Sequence, residues 1–411
     1  MTLFQALFVL VLMLSEVAGQ PHSSQSVSPS TAAQSPTQVL KPGLPAGYVG
    51  DATCQSCHQE KVESFHRTSH YLTSRLPERA SILGKFRPDA NVMKTSNPDL
   101  FFRLEEKDNE FLQTAVEGIA PFITERSERF AFVIGSGGKG QTYLFWKGDD
   151  LFELPVSYWT ELGWVNSPGY RDGLANFGRP VIPRCLECHA TYFEQAPPPP
   201  NRYKKAGFVV GITCEKCHGP GREHARRFAA KPVSGAALEI LNPARFSRDR
   251  QMDLCAWCHA GQGVPLEPAF SYIPGEPLDK YLRIPQPDPA APVDVHGSQV
   301  EMLERSRCFQ QSAMTCRTCH DVHSVQHDAA AFSEKCLSCH KPESGMFPKQ
   351  GHQVTSNCID CHMPLQETNL IVFDQNGKKA KPRVRSHWIR VYSGSAAAAA
   401  ARDHLMNEAK E

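Results

Sequence analysis

Residues 213–224 read TCEKCHGPGREH, with Cys214, Cys217 and His218 compressed into five positions and a second histidine, His224, six residues beyond the first. Taken alone, the stretch fits a zinc-ribbon corner, a redox dithiol or a haem clamp. Recurrence decides between them. The same Cys-x-x-Cys-His unit is found at Cys54, Cys57 and His58; Cys185, Cys188 and His189; Cys255, Cys258 and His259; Cys316, Cys319 and His320; Cys336, Cys339 and His340; and Cys358, Cys361 and His362. Seven units absorb fourteen of the fifteen cysteines. With histidine at 17 of 411 positions, finding it after all seven pairs has a chance probability on the order of 10⁻¹⁰, and the pattern is that of c-type haem attachment.

The chemistry accounts for the spacing. Two thiols three positions apart can each form a thioether to a vinyl group on one porphyrin edge, and the adjacent imidazole is then delivered to the iron. A zinc site would need two such pairs per ion, leaves an odd clamp over and does not require the histidine. A thioredoxin-type dithiol would be a single motif in a βαβ setting. Seven covalent c-type haems are therefore expected, with His58, His189, His218, His259, His320, His340 and His362 as proximal iron ligands.

Ten histidines remain. His22 lies in a Ser/Pro-rich tether and His404 in an Ala-rich tail, which leaves His66, His70, His224, His296, His323, His327, His352 and His387 as candidates for the opposite axial positions. His224 follows His218 by six residues, about 9 Å of helical rise, so both imidazoles cannot approach one iron from opposite faces. His323, three residues after His320, is still less able to do so. Histidines that follow a clamp are expected to cross to a neighbouring haem and so tie distant segments together.

Around the clamps the chain divides by composition. Residues 1–19 carry an apolar run from Leu3 to Leu14 followed by small residues, a secretory signal pattern. That run is too short to span a bilayer. The run lacks the customary basic residue before it, so membrane association is expected only if this segment stays uncleaved. Residues 20–47 read as a disordered linker, 48–80 as an N-terminal single-haem segment, 81–180 as a Cys-free β-rich insert, 181–393 as a six-haem cluster with a closing segment, and 394–411 as an Ala-rich tail. Within the insert, about 99–160 show period-2 apolar alternation broken by glycines, which predicts an antiparallel meander of three to five strands. GSGGKG at 135–140 lacks the Gly-Lys-Ser/Thr ending of a phosphate loop and reads as a hairpin turn. Elsewhere short helices carrying the clamps, joined by irregular loops, are expected. The fold class is thus mainly α and irregular, haem-cored, with a small antiparallel insert. Cys308 is the odd thiol, read as a small buried residue.

Several motifs resemble multihaem cytochromes c related to the nitrifier tetrahaem cytochrome that accepts electrons from hydroxylamine oxidoreductase. YVGDATCQSCHQEKVESFHRTSH resembles the family's opening, in which Phe65, Thr68 and His70 would form the element bearing a distal ligand. MTCRTCHDVHS followed by KCLSCH resembles the doubled clamp module, which implies that His323 serves a neighbouring iron. TCEKCHGPGREH resembles the element in which His224 is distal. NCIDCHMP, preceded by His352 and followed by RSHWIR, resembles the closing module, with His352 and His387 as ligands. The resemblance implies His70, His224, His296, His323, His352 and His387 as distal ligands, with His66 or His327 as the seventh. Seven clamps instead of four, and the long Cys-free insert, depart from that pattern.

Lys+Arg is 44 against Asp+Glu 43, so no bulk charge favours nucleic acid. The reading is an exported, periplasmic or extracellular cytochrome that relays electrons between redox partner proteins through mostly bis-His haems. Closed axial positions favour a carrier over a catalyst. The competing readings are a multihaem oxidoreductase acting on a small nitrogen or sulfur species at one open-site haem, and a cytochrome filament or conduit subunit.

Overall fold

The computed structural model describes residues 44–230, 239–261, 263–285, 297–341, 357–375 and 377–392. The signal segment, nearly all of the linker, the Ala-rich tail, His22, His296, His352 and His404 lie outside the described residues.

The first clamp opens the fold on helix α1 (Asp51–Phe65). Its N-cap is Gly50, which has no side chain to offer the first N–H groups. The carboxylate of Glu215, 165 residues away, accepts from Gly50 N at 2.9 Å and from Val49 N at 3.0 Å instead. A short strand β1 (Ser74–Arg75) leads into the insert.

The insert holds two antiparallel sheets where one short meander is predicted. The first has the order β2 (Val92–Lys94), β3 (Leu100–Lys107), β4 (Glu110–Glu117) and β5 (Thr124–Arg129). The second is built from β1, β6 (Phe132–Ile134), β7 (Gly140–Lys147), β8 (Asp150–Glu153), β9 (Val156–Trp159) and β10 (Gly163–Asn166). β6 and β7 pair antiparallel across residues 135–139, so the glycine-rich stretch is a hairpin connection, and Gly135 and Gly137 take φ values of 108° and 98° there. Alternation puts Phe102, Leu104, Phe111, Phe130, Tyr143 and Phe145 into one buried core.

A second core joins the insert to the clamps. Phe132, Leu144 and Leu151 of the sheet pack with Leu186 of the second clamp and with Phe193 and Phe208. Leu186 belongs to helix α2 (Pro183–His189), and Phe193 and Phe208 to the hairpin of β11 (Ala190–Gln195) and β12 (Tyr203–Val210).

The third, fourth and seventh clamps lie on α3 (Cys214–His218), α5 (Arg248–His259) and α9 (Cys358–His362), and the sixth begins on α8 (Ala329–Leu337); α4 (Arg222–Ala230), α6 (Gln299–Glu304) and α7 (Arg307–Gln310) fall between them. Residues 316–318 of the fifth clamp form a single 3₁₀ turn. Strand pairs at 264–265 with 282–283, 365–367 with 383–385, and 373–375 with 378–380 stitch the loops.

The fold is therefore mixed α and antiparallel β, not mainly α. The hairpin of β11 and β12 falls between two clamps where an irregular loop is predicted. Its turn contains the Pro197–Pro200 run, which breaks the alternation that would announce it. Among the described residues no helix is long and apolar enough to cross a membrane.

Candidate haem-ligand constellation

A helical clamp places its first cysteine, its second cysteine and its histidine at i, i+3 and i+4, all on one face. α3 is the minimal case, five residues long. It ends at Gly219, whose φ of 72° suits glycine, and the Gly219 N–H donates to Glu215 O. In α1 the backbone leaves helical geometry at His58 itself (φ −117°, ψ 39°). None of the fifteen cysteines is joined to another in a disulfide.

The histidines meet in pairs drawn from different segments. The His58 and His224 rings lie 6.4 Å apart, centroid to centroid, with planes 13° apart. His218 faces His323 at 6.1 Å and 30°. His320 faces His387 at 6.2 Å and 29°. His70 and His259 stand at 6.1 Å with planes at 87°.

This separation fits two imidazoles on one metal. A metal–imidazole bond of about 2.0–2.1 Å, plus about 1.15 Å from ring nitrogen to ring centroid, puts two opposed centroids about 6.3 Å apart. Direct ring stacking is much closer, as in the 3.8 Å pair of His66 and Tyr71.

Second contacts orient the rings. His218 Nδ1 donates to Leu241 O at 2.8 Å, His362 Nδ1 to Arg390 O at 3.0 Å and His387 Nδ1 to Arg385 O at 3.3 Å. His189 Nδ1 lies 2.9 Å from Thr73 Oγ1. Ligating histidines are held by their second nitrogen in this way. Burial pushes the imidazole of His70 down to about 4, helped by neighbouring His259 and His320, and that of His387 down to about 4, helped by His320. Burial also lowers His320 and His323. All four are kept neutral near pH 7, the form that ligates metal.

Clamps from different segments also pack together: α1 against α3, where the Asp51 carboxylate and the Cys54 and Cys214 sulfurs lie within 4.8 Å of one another, α2 against α5, α5 against the 316–318 turn, and α8 against α9.

A family model described as cytochrome c554 and c-prime matches residues 175–219, which enclose the second and third clamps and the hairpin between them. Dissimilatory sulfite reductase MccA of Wolinella succinogenes is 21% identical over 395 residues, covering 78% of this chain and 51% of the relative. The chain thus spans about half the length of that curated relative. The crystal structure of outer cell wall cytochrome OcwA matches with a TM-score of 0.54 at 19% identity, over 86% of this chain and 82% of that one. That likeness is one of fold. Together these findings support a multihaem c-type cytochrome.

The chain places the other expected ligands less uniformly. His66 Nε2 donates to Asp51 Oδ2 at 2.9 Å, and its ring is covered by Tyr71. His327 is exposed in the loop before α8. Thr68 Oγ1 donates to Phe65 O at 2.7 Å and accepts from Tyr71 N at 3.4 Å, a turn that fixes the backbone around His70. The His70 carbonyl in turn accepts from Ile212 N.

Four residues at the clamps carry contacts that clamp spacing does not announce. Asp51 accepts from Cys214 N at 3.2 Å. Glu215, 2% exposed, accepts from Val49, Gly50 and Gly221. Glu187 accepts from Phe270 N at 2.7 Å and pairs with Arg184 at 3.3 Å. Lys216 is buried against Trp257. Glu187, Glu215 and Lys216 occupy the variable positions inside their clamps. A helix that turns its cysteines and histidine to one side turns those positions into the protein, and charged residues there are the available sequence signal.

Proposed function

We propose that this chain is an exported heptahaem cytochrome that relays electrons between redox partner proteins through mostly bis-His irons. The four histidine pairs at 6.1–6.4 Å carry the reading. In it His58 and His224, His259 and His70, His218 and His323, and His320 and His387 hold four irons, and all fourteen clamp cysteines form thioethers. His189, His340 and His362 serve the other three. His296 and His352 supply distal ligands there. His66, bonded to Asp51, stays outside the set. Haem supplies the one-electron couple, while the chain fixes the axial ligands and the order of the centres.

The packing of clamp on clamp supports a continuous path. The first clamp meets the third, Lys216 of the third meets Trp257 of the fourth, the fourth meets the fifth, His320 of the fifth meets Phe332 on the helix of the sixth, and the sixth meets the seventh. The second clamp joins at the fourth. Haems bonded to adjoining clamps would lie close to one another, which suits transfer from centre to centre.

The similarity to a sulfite reductase favours a second reading, a multihaem oxidoreductase acting on a small sulfur or nitrogen species at one open-site haem. Addition of cyanide, sulfite, nitrite and hydroxylamine in turn to the oxidised protein separates the two. A relay leaves the Soret and visible bands unmoved, whereas a high-spin band that shifts with any of them contradicts the relay and supports the oxidoreductase.

A further inference from the structure

The residue just before the second cysteine is Glu187 in the second clamp, Lys216 in the third and Trp257 in the fourth. These three equivalent positions converge. The Lys216 Nζ stands 3.9 Å from the Trp257 ring centroid and 4.9 Å from that of Phe270, and it donates to Thr191 O at 3.4 Å. Lys216 is 6% exposed and Trp257 5%. Glu187 holds Phe270 in place through the Phe270 N–H, and Arg184, which pairs with Glu187, also donates to Trp257 O. One cysteine of each clamp borders this group: Cys217 adjoins Lys216, Cys258 adjoins Trp257, and Cys188 adjoins Glu187, whose carbonyl oxygen lies 4.0 Å from Cys258 Sγ.

A lysine is rarely taken out of water, and here its ammonium is enclosed by two aromatic faces and one backbone carbonyl oxygen. The aromatic faces of Trp257 and Phe270 receive it as a cation. Arg184 and Glu187 cancel one another, so the group carries one net positive charge in a region of low dielectric. A fixed cation stabilises the reduced, more negative state of any redox centre beside it, and it does so more strongly when water is excluded.

We propose that Lys216 is the electrostatic centre of a three-haem junction, where its buried ammonium raises the reduction potentials of the haems bonded at Cys188, Cys217 and Cys258 above those of the outer haems. This rests on the haem-bearing reading above. Electrons entering from either end of the path would collect at the junction, from which the second-clamp haem branches. Lys216 acts through the haems as a tuning residue and touches no substrate.

The test is spectroelectrochemical titration of the full, haem-loaded protein, with haem content measured on each sample, for wild type, Lys216→Met, Lys216→Arg and Glu187→Gln. Lys216→Met is expected to move part of the titration curve to lower potential and leave the rest in place. Lys216→Arg, which keeps the charge, is expected to overlay wild type. Glu187→Gln removes a negative charge and is expected to move the same part to higher potential. A Lys216→Met curve that overlays wild type, or Met and Arg curves displaced alike, would overturn the proposal. Should Lys216→Met fail to load haem, an unchanged Glu187→Gln curve overturns it equally. Clamps without haem in the wild-type protein would instead refute the underlying reading, and the haem measurement distinguishes that outcome.

Discussion

His224 stands 6.4 Å from His58 with the ring planes 13° apart, while the histidine of its own clamp, His218, faces His323 from a segment about a hundred residues further on. Each pairing closes a long loop of chain. If these histidines ligate iron as proposed, they are also cross-links, and removing one is expected to act on a single iron before it acts on the fold.

His224→Ala is therefore expected to convert one haem, that of His58, from low-spin to high-spin and leave the total haem content unchanged. Quantitative electron paramagnetic resonance (EPR) of the oxidised protein checks this. A spectrum identical to wild type would remove His224 from the ligand set. Imidazole added to the variant is expected to restore the low-spin signal.

The four pairs differ in ring angle. Parallel imidazoles split the iron orbitals that point toward their π systems, whereas perpendicular ones leave those orbitals nearly degenerate. The His70 and His259 pair, at 87°, is expected to give a highly anisotropic low-spin EPR signal, and the pairs at 13°, 29° and 30° rhombic ones. His70→Ala should delete the anisotropic signal selectively.

Acid should release the distal ligands only at low pH. His70 and His387 have folded values pushed down to about 4, below the ordinary 6.5. An unfolded chain takes up these protons first as pH falls, so the stability they contribute is complete above about pH 6.5 and is lost progressively between 6.5 and 4. Iron bound as proposed would hold the neutral form and extend resistance further down. Low-spin bands that persist at pH 5 are the expected result of a Soret titration, and a spin transition centred near pH 6 would contradict it.

Glu215→Ala should destabilise the haem-loaded protein by about 3 kcal/mol, because the N–H groups of Val49, Gly50 and Gly221 lose a buried charged acceptor. Denaturant unfolding followed by the Soret band measures this. Glu215→Gln, which keeps one acceptor oxygen, should cost less than half as much. Equal losses in the two variants would show that the charge and the second oxygen contribute nothing.

The clamps were legible because thioether chemistry fixes the spacing of Cys214, Cys217 and His218 in the chain itself. The opposed histidines obey no such local rule. His70, at the turn after α1, meets His259 at the end of α5 across 189 residues of chain, and no spacing encodes that. The strands of the insert announce themselves through alternation in stretches such as LFFRLEEK, whereas β11 and β12 are masked by the prolines between them. Glu187 and Lys216 occupy the variable positions of a motif whose spacing marks only its cysteines and histidine, although a clamp helix buries both.

The relay account is tested most directly by near-infrared magnetic circular dichroism of the oxidised protein, expressed per covalently bound haem. Seven haems, with at least four carrying the low-spin charge-transfer band of paired histidines, is the result the account predicts. Fewer than four such irons, or a band of His/Met or high-spin character dominating the spectrum, would contradict it.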